Sequence, residues 1–153
     1  MKIAAKLAQM GLTLPEPGPA AGNYIGAVQV GNLLFVSGHG PRHQSGTYMT
    51  GKVGRELTTE QAYEAARVVM LNCLATVQRE LGDLDRVKRI VKLLGMVHCT
   101  EDFTEQPRVI NGASDLLVEL YGEAGRHARS AVGMQQLPMN IPVEIEMIVE
   151  VEA

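Results

Sequence analysis

A small number of residues pair a reactive side chain with a constraining position. Arg129 lies in a β-rich run between Ala128 and Ser130. An arginine held there needs an anionic partner, because an unpaired buried charge costs several kcal/mol. Two partners fit: a substrate carboxylate gripped at two points by the planar guanidinium, or a glutamate of the following run, 143–151, in a structural ion pair. In that run Val143, Ile145, Met147, Val149 and Val151 alternate with Glu144, Glu146, Ile148 and Glu150. Taken alone, the glutamates read as a solvated strand face. Earlier in the chain, Ser37-Gly38-His39-Gly40-Pro41 closes another run. Its glycines and proline must stop a strand and let the backbone approach something closely.

Other chemistry finds little support. His39, His43, His98 and Cys99 lack spacings such as H-E-x-x-H or C-x-x-C, and a Pro-containing loop separates His39 from His43, so no metal site is expected. His39 directly follows Ser37-Gly38 and is placed to touch a ligand instead. Ser37 has no Asp/His pair in a recognisable arrangement, and neither Cys73 nor Cys99 carries a nucleophile signature, so covalent catalysis is not expected. Arg126 and His127, flanking the arginine strand, read as surface charges.

The elements that must position these residues are legible from periodicity. A mild helix over residues 1–10 leads into a Pro-rich arm, Leu14-Pro-Glu-Pro-Gly-Pro19, in which prolines forbid regular structure. Two β-rich runs within 24–36, separated by Gly31-Asn32, make a hairpin signal. Thr58-Thr-Glu-Gln61 is a capping box. Behind it Ala62, Ala65, Ala66, Val69, Cys73, Val77 and Leu81 recur at helical spacing until Gly82. Val87 to His98 reads as a long strand. Pro107 opens a second helix striped by Val109, Ala113, Leu116, Leu117 and Leu120. His127–Met134 and Val143–Val151 read as the last two strands. Helices following strands in this order predict an α+β domain, a mixed sheet with two helices packed on one face.

The chain has 153 residues, 46% apolar and 20% charged, which suits one globular domain over 1–153 with residues 1–22 as its lead-in. A net charge of −3 and 4% aromatic residues with no Trp oppose nucleic acid as a partner. No apolar run approaches the ~18 residues of a membrane span, and the first ten residues lack the apolar block of a signal peptide. The two cysteines read as reduced thiols, and the expected location is cytoplasmic.

Several of these pieces recur in a known order. Tyr24, the Gly31-Asn32 turn, Val36-Ser37-Gly38, Asp102-Phe103 and Asn111 are followed by Ala128-Arg129-Ser130-Ala131-Val132, Leu137-Pro138 and Val143-Glu144-Ile145-Glu146. The ordered set, spread over residues 23–151, resembles the reactive-intermediate deaminase family, also called Rid, YjgF or L-PSP. The resemblance implies a chorismate-mutase-like fold and a homotrimer with ligand clefts between subunits. It also implies cofactor-free hydrolysis of reactive 2-imino acids or enamines to 2-keto acids and ammonia. Arg129 would bind the carboxylate and Glu144 would position water. Ser37 and the Gly38 N–H would contact the carboxylate, with Tyr24 and Asn111 facing the cleft. His39, Gly40, Ala131 and Gly133 depart from the family pattern. Those departures leave a second reading, a non-catalytic module that binds or senses a small keto acid in the same cleft. The ribonuclease label carried by many members is opposed by charge and aromatic content.

Overall fold

A computed structural model describes residues 2–153; Met1, part of the expected first helix, lies outside them. The elements run α1 (Lys2–Gln9), β1 (Ala27–Val30), β2 (Leu33–His39), α2 (Thr59–Leu81), β3 (Val87–His98), α3 (Gln106–Tyr121), β4 (Ala128–Met134) and β5 (Val143–Val151). The five strands form one mixed sheet in the order β1-β2-β5-β3-β4. β5 is central and antiparallel to both β2 and β3, whereas β4 lies parallel to β3 across the α3 connection. A parallel pair needs such a crossover, since no tight turn can reverse the chain twice.

Local chemistry explains the long elements. Thr58 accepts from the Gln61 N–H at 3.1 Å while the Gln61 side chain accepts from the Thr58 N–H at 2.9 Å. This reciprocal cap satisfies two backbone donors that the first turn of α2 would otherwise leave open. The helix ends at Gly82 in the left-handed conformation, φ 82°. Ala62, Ala65, Ala66, Val69 and Cys73 bury their stripe completely against the sheet and α3. The two helices meet at Gly112, where an added Cβ would strike the carbonyl oxygen of Tyr63 and lie 3.2 Å from the Ala66 Cβ. Only a residue without a side chain permits that approach.

β5 keeps the expected alternation. Val143, Ile145, Met147, Val149 and Val151 are buried beneath the helices, and Glu144, Glu146, Ile148 and Glu150 point to the opposite face. On that opposite face a cross-strand row joins Val28, Phe35, Ile148 and Lys92 by register. No helix among the described residues covers it: Val28 is 50% and Phe35 42% exposed. β1 begins at Ala27, three residues later than the sequence run suggests, because residues 23–26 bend into the arm.

α1 docks on the far end of the helical layer. Its first N–H groups, from Lys2 and Ile3, donate to the Asp85 carboxylate at 2.8 and 2.9 Å, and Lys6 Nζ donates to the Leu120 carbonyl at 2.9 Å. An acceptor at a helix N-terminus satisfies orphan donors and meets the positive end of the dipole. Cys73 and Cys99 are both free and buried, and burial pushes the Cys73 thiol well above its usual range. No helix among the described residues is long and apolar enough to cross a membrane.

Candidate functional site

The residues singled out by sequence fall into two groups, and the fold keeps the groups apart. Tyr24, Ser37, Gly38, His39 and Glu144 line one cleft of about 470 Å³ between the start of the hairpin, α2 and the arm. Arg129 and Asn111 do not reach it. They lie together where the edge strand β4 passes α3, with Arg129 Nη1 donating to Asn111 Oδ1 at 2.7 Å.

Register shows why one chain cannot join the groups. Arg129 pairs with the buried Leu93, on the helix-covered face of the sheet. Glu144 pairs with Met96, whose partner on β4 is Val132, on the opposite face. β3 therefore separates the two strands, and the two side chains leave opposite sides of the sheet. The ion pair of Arg129 with a β5 glutamate, one of the two readings open from sequence, does not form. Among the described residues no carboxylate lies within salt-bridge distance of Arg129.

Inside the cleft, Glu144 sits directly over Gly38. A Cβ on Gly38 would lie 3.1 Å from Glu144 Cδ and 3.3 Å from Cγ, with Oε2 closer still. The glycine is therefore required by a carboxylate packed on the backbone, not by a turn; its φ is not in the left-handed region. Glu144 is half-buried, and burial raises its carboxyl above the ordinary value, with Glu146 on the same face adding to the shift. No hydrogen bond to its carboxylate is made among the described residues. A half-desolvated carboxylate without a donor is a base in search of a proton.

Ser37 and His39 are more constrained than their sequence suggests. Ser37 Oγ donates to the Ile25 carbonyl at 2.6 Å. His39 Nδ1 lies 2.6 Å from the Ser37 carbonyl oxygen and Nε2 lies 2.8 Å from Thr76 Oγ1. The carbonyl can only accept, so Nδ1 carries the proton and Nε2 accepts from the Thr76 hydroxyl. Burial, and then the nearby Arg79 charge, keep this ring neutral by lowering its pKa, against the Ser37 contact. His39 lines the cleft with both nitrogens already engaged, as wall and not as a free ligand.

Sequence reasoning missed three groups. Thr76 and Asn72, buried polar residues four apart on the apolar stripe of α2, face the cleft. That break in an otherwise apolar face was the available signal. Arg42 and Arg79 also line the cleft, and Arg42 Nη1 reaches the Glu16 carbonyl at 3.5 Å, fastening the Pro-rich arm as one wall. Finally, His127 is not the surface charge expected: it is half-buried against Ser114, its Nε2 2.8 Å from the Ser114 hydroxyl.

The comparisons agree with this architecture. Residues 4–151 match the family model described as "YjgF/chorismate_mutase-like, putative endoribonuclease". The chain belongs to the Rid/YjgF family. Among relatives of this family member, protein TCP17 of Trypanosoma cruzi is 46% identical over 97% of this chain and 94% of its own. A 2-iminobutanoate/2-iminopropanoate deaminase of Dermatophagoides farinae is 30% identical over 90% of this chain and 91% of its own. The crystal structure of Atu1372 from Agrobacterium tumefaciens, a protein of unknown function, superposes with a TM-score of 0.91 at 45% identity. That likeness covers 99% of this Rid/YjgF chain and 93% of the Atu1372 chain.

Proposed function

We propose that this protein hydrolyses small 2-imino acids to 2-keto acids and ammonia, in clefts completed between copies of the chain in a homotrimer. The observation that carries the reading is the pairing of two incomplete half-sites. One holds an unpaired guanidinium, the other a half-buried carboxylate without a donor. Each supplies what the other lacks, and the sheet forbids them from meeting within one chain. The row of exposed Val28 and Phe35 with half-buried Ile148 offers the apolar surface by which copies would associate. A relative named as an iminobutanoate deaminase, at 30% identity, supports the chemistry.

In this reading the substrate carboxylate lies on Arg129 of one copy, near the Gly38 N–H of the next. Glu144 takes a proton from water as its oxygen bonds to the imine carbon and passes that proton to the imine nitrogen, giving a 2-amino-2-hydroxy acid. Glu144 then takes the hydroxyl proton and delivers it to the nitrogen as the C–N bond breaks, so that ammonia leaves, the carbonyl forms and the 2-keto acid remains. Water is the only co-reactant, so no cofactor is required. The ribonuclease label suits this chain poorly, given its net charge of −3 and 4% aromatic content.

The test is the ultraviolet absorbance of freshly generated 2-iminobutanoate, which should decay faster with protein than without. Arg129→Ala should abolish the acceleration and weaken 2-oxobutanoate binding roughly tenfold or more, since hydrogen bonds to charged groups contribute about 1.5–3 kcal/mol. Glu144→Gln should keep binding and lose turnover. Keto acid binding without any imine decay by the unaltered protein would refute the enzyme and leave a sensing module.

A further inference from the structure

Arg129 is held more firmly than a lone strand arginine would be. Its Nη1 donates to Asn111 Oδ1 at 2.7 Å and to Ser114 Oγ at 3.1 Å. Ser114 Oγ is in turn 2.8 Å from His127 Nε2, and His127 Nδ1 is 2.6 Å from the Gly125 carbonyl oxygen. These contacts fix every proton in the chain. The carbonyl only accepts, so the ring proton sits on Nδ1; the guanidinium only donates, so Ser114 accepts from it. The Ser114 hydroxyl proton then goes to Nε2, which is free to accept it only while the imidazole is neutral. Burial, and the adjacent Arg129 charge, oppose a second proton on that ring, while its contact to Gly125 favours one.

With both Nη1 hydrogens committed, the donors left are Nε–H and the pair on Nη2. No hydrogen bond uses them among the described residues. The Nε and Nη2 donors on one edge are spaced to match the two oxygens of a carboxylate. The anchored edge is therefore opposite to the edge a ligand would use.

We infer that Ser114 and His127 are positioning residues: with Asn111 they lock one edge of Arg129 so that the other is presented, already ordered, to the substrate carboxylate. This rests on the reading that Arg129 binds that carboxylate. An arginine side chain loses much rotamer freedom when it is immobilised, and ordering it in advance removes that cost from ligand binding. The three residues share a design that the sequence hides: Asn111 and Ser114 stand three apart on one face of α3, and His127 reaches back from the loop before β4.

The experiment reads the dissociation constant of 2-oxobutanoate by calorimetry together with KM and kcat for 2-iminobutanoate. Ser114→Ala and His127→Ala should each raise Kd and KM about 3- to 10-fold, the cost of ordering one rotamer-rich side chain on binding, with kcat little changed. Ser114→Thr, which keeps the hydroxyl, should restore both. In an Arg129→Lys background Ser114→Ala should add nothing, because its effect runs through the guanidinium. Ser114→Ala keeps the test available should His127→Ala misfold, since alanine is the better helix former at that position. Wild-type Kd in Ser114→Ala, alongside weakened binding in Arg129→Ala, would overturn the inference and spare the functional reading. A full Ser114→Ala effect in the Arg129→Lys background would overturn it equally. Unchanged binding in Arg129→Ala would instead remove the functional reading, and this inference with it.

Discussion

Gly38→Ala separates the position of the proposed base from its identity. Alanine keeps the Gly38 N–H and fits the backbone, because φ there is not left-handed. The change is therefore confined to a methyl group placed 3.1 Å from Glu144 Cδ and 3.3 Å from Cγ, and nearer still to the carboxylate oxygen. Carbon contacts relax at about 3.5–4.0 Å, so the carboxylate must retreat by roughly 1 Å. Glu144 can do this by rotating toward the cleft, since its head is only half-buried. The cost in stability should fall at the low end of overpacking, about 1 kcal/mol, or roughly 2–4 °C in Tm for a chain of this size. The cost in catalysis should be far larger, since a displacement of about 1 Å can cost about 100-fold. Thermal unfolding and the iminobutanoate absorbance assay read the two effects separately.

The double variant makes the reasoning sharper. Once Glu144 is Gln, Gly38→Ala should remove little further activity, because the group it displaces no longer acts as a base. Wild-type kcat in Gly38→Ala would refute the claim that Glu144 works from its place over Gly38. Equal, additive losses in the single and double variants would do the same.

The remaining expectations concern Glu144 and assembly. Burial raises the Glu144 carboxyl, and an acid raised on folding costs stability once ionised: the cost is absent below its unfolded pKa near ~4.3 and complete above the raised folded value. In a monomer, where no neighbour's guanidinium offsets this, Glu144→Gln should therefore raise Tm at pH 7 and lose that advantage near pH 4. In the unaltered protein with substrate bound, kcat should fall with acid along a limb displaced above the ordinary carboxylate range. Sedimentation should find a trimer, and Phe35→Asp, which charges the exposed apolar row, should yield a folded monomer without deaminase activity; a stable monomer of the unaltered chain would contradict the shared cleft.

How much of this was readable in the sequence depends on how local the signal is. α2, β3 and β5 follow from caps and periodicity carried within each segment, so their bounds are those the pattern predicts. The hairpin is also local, although β1 is shorter because residues before Ala27 serve the arm. The separation of Arg129 from Glu144 is not local. Fifteen positions apart, with a turn between, they suggest neighbouring strands, and an ion pair between them was a reasonable expectation. The turn at 138–140, with Met139 and Asn140 at φ 58° and 60°, instead carries the chain past β3. β4 and β5 flank that strand and do not pair, because the α3 crossover places β4 parallel to β3 at the sheet edge. Strand order is a property of the whole core, and no window of sequence contains it. The burial of His127 was hidden for the same reason: its partner Ser114 belongs to another element.

That separation has an electrostatic consequence if copies do share their clefts. Alone, Glu144 makes no ion pair among the described residues, and burial raises its pKa. The arrival of Arg129 from a neighbour would favour the ionised form and pull that pKa back down. A substrate carboxylate, bound to the same guanidinium, then cancels much of this field and restores the basicity of Glu144. The base would be strongest when the cleft is filled, and weakest when it is empty. An acid-limb pKa that is higher in kcat, which reports the bound enzyme, than in kcat/KM, which reports the free one, would be the signature. The opposite order would mean that Arg129 and Glu144 do not sense one another, and that the two half-sites do not belong to one cleft.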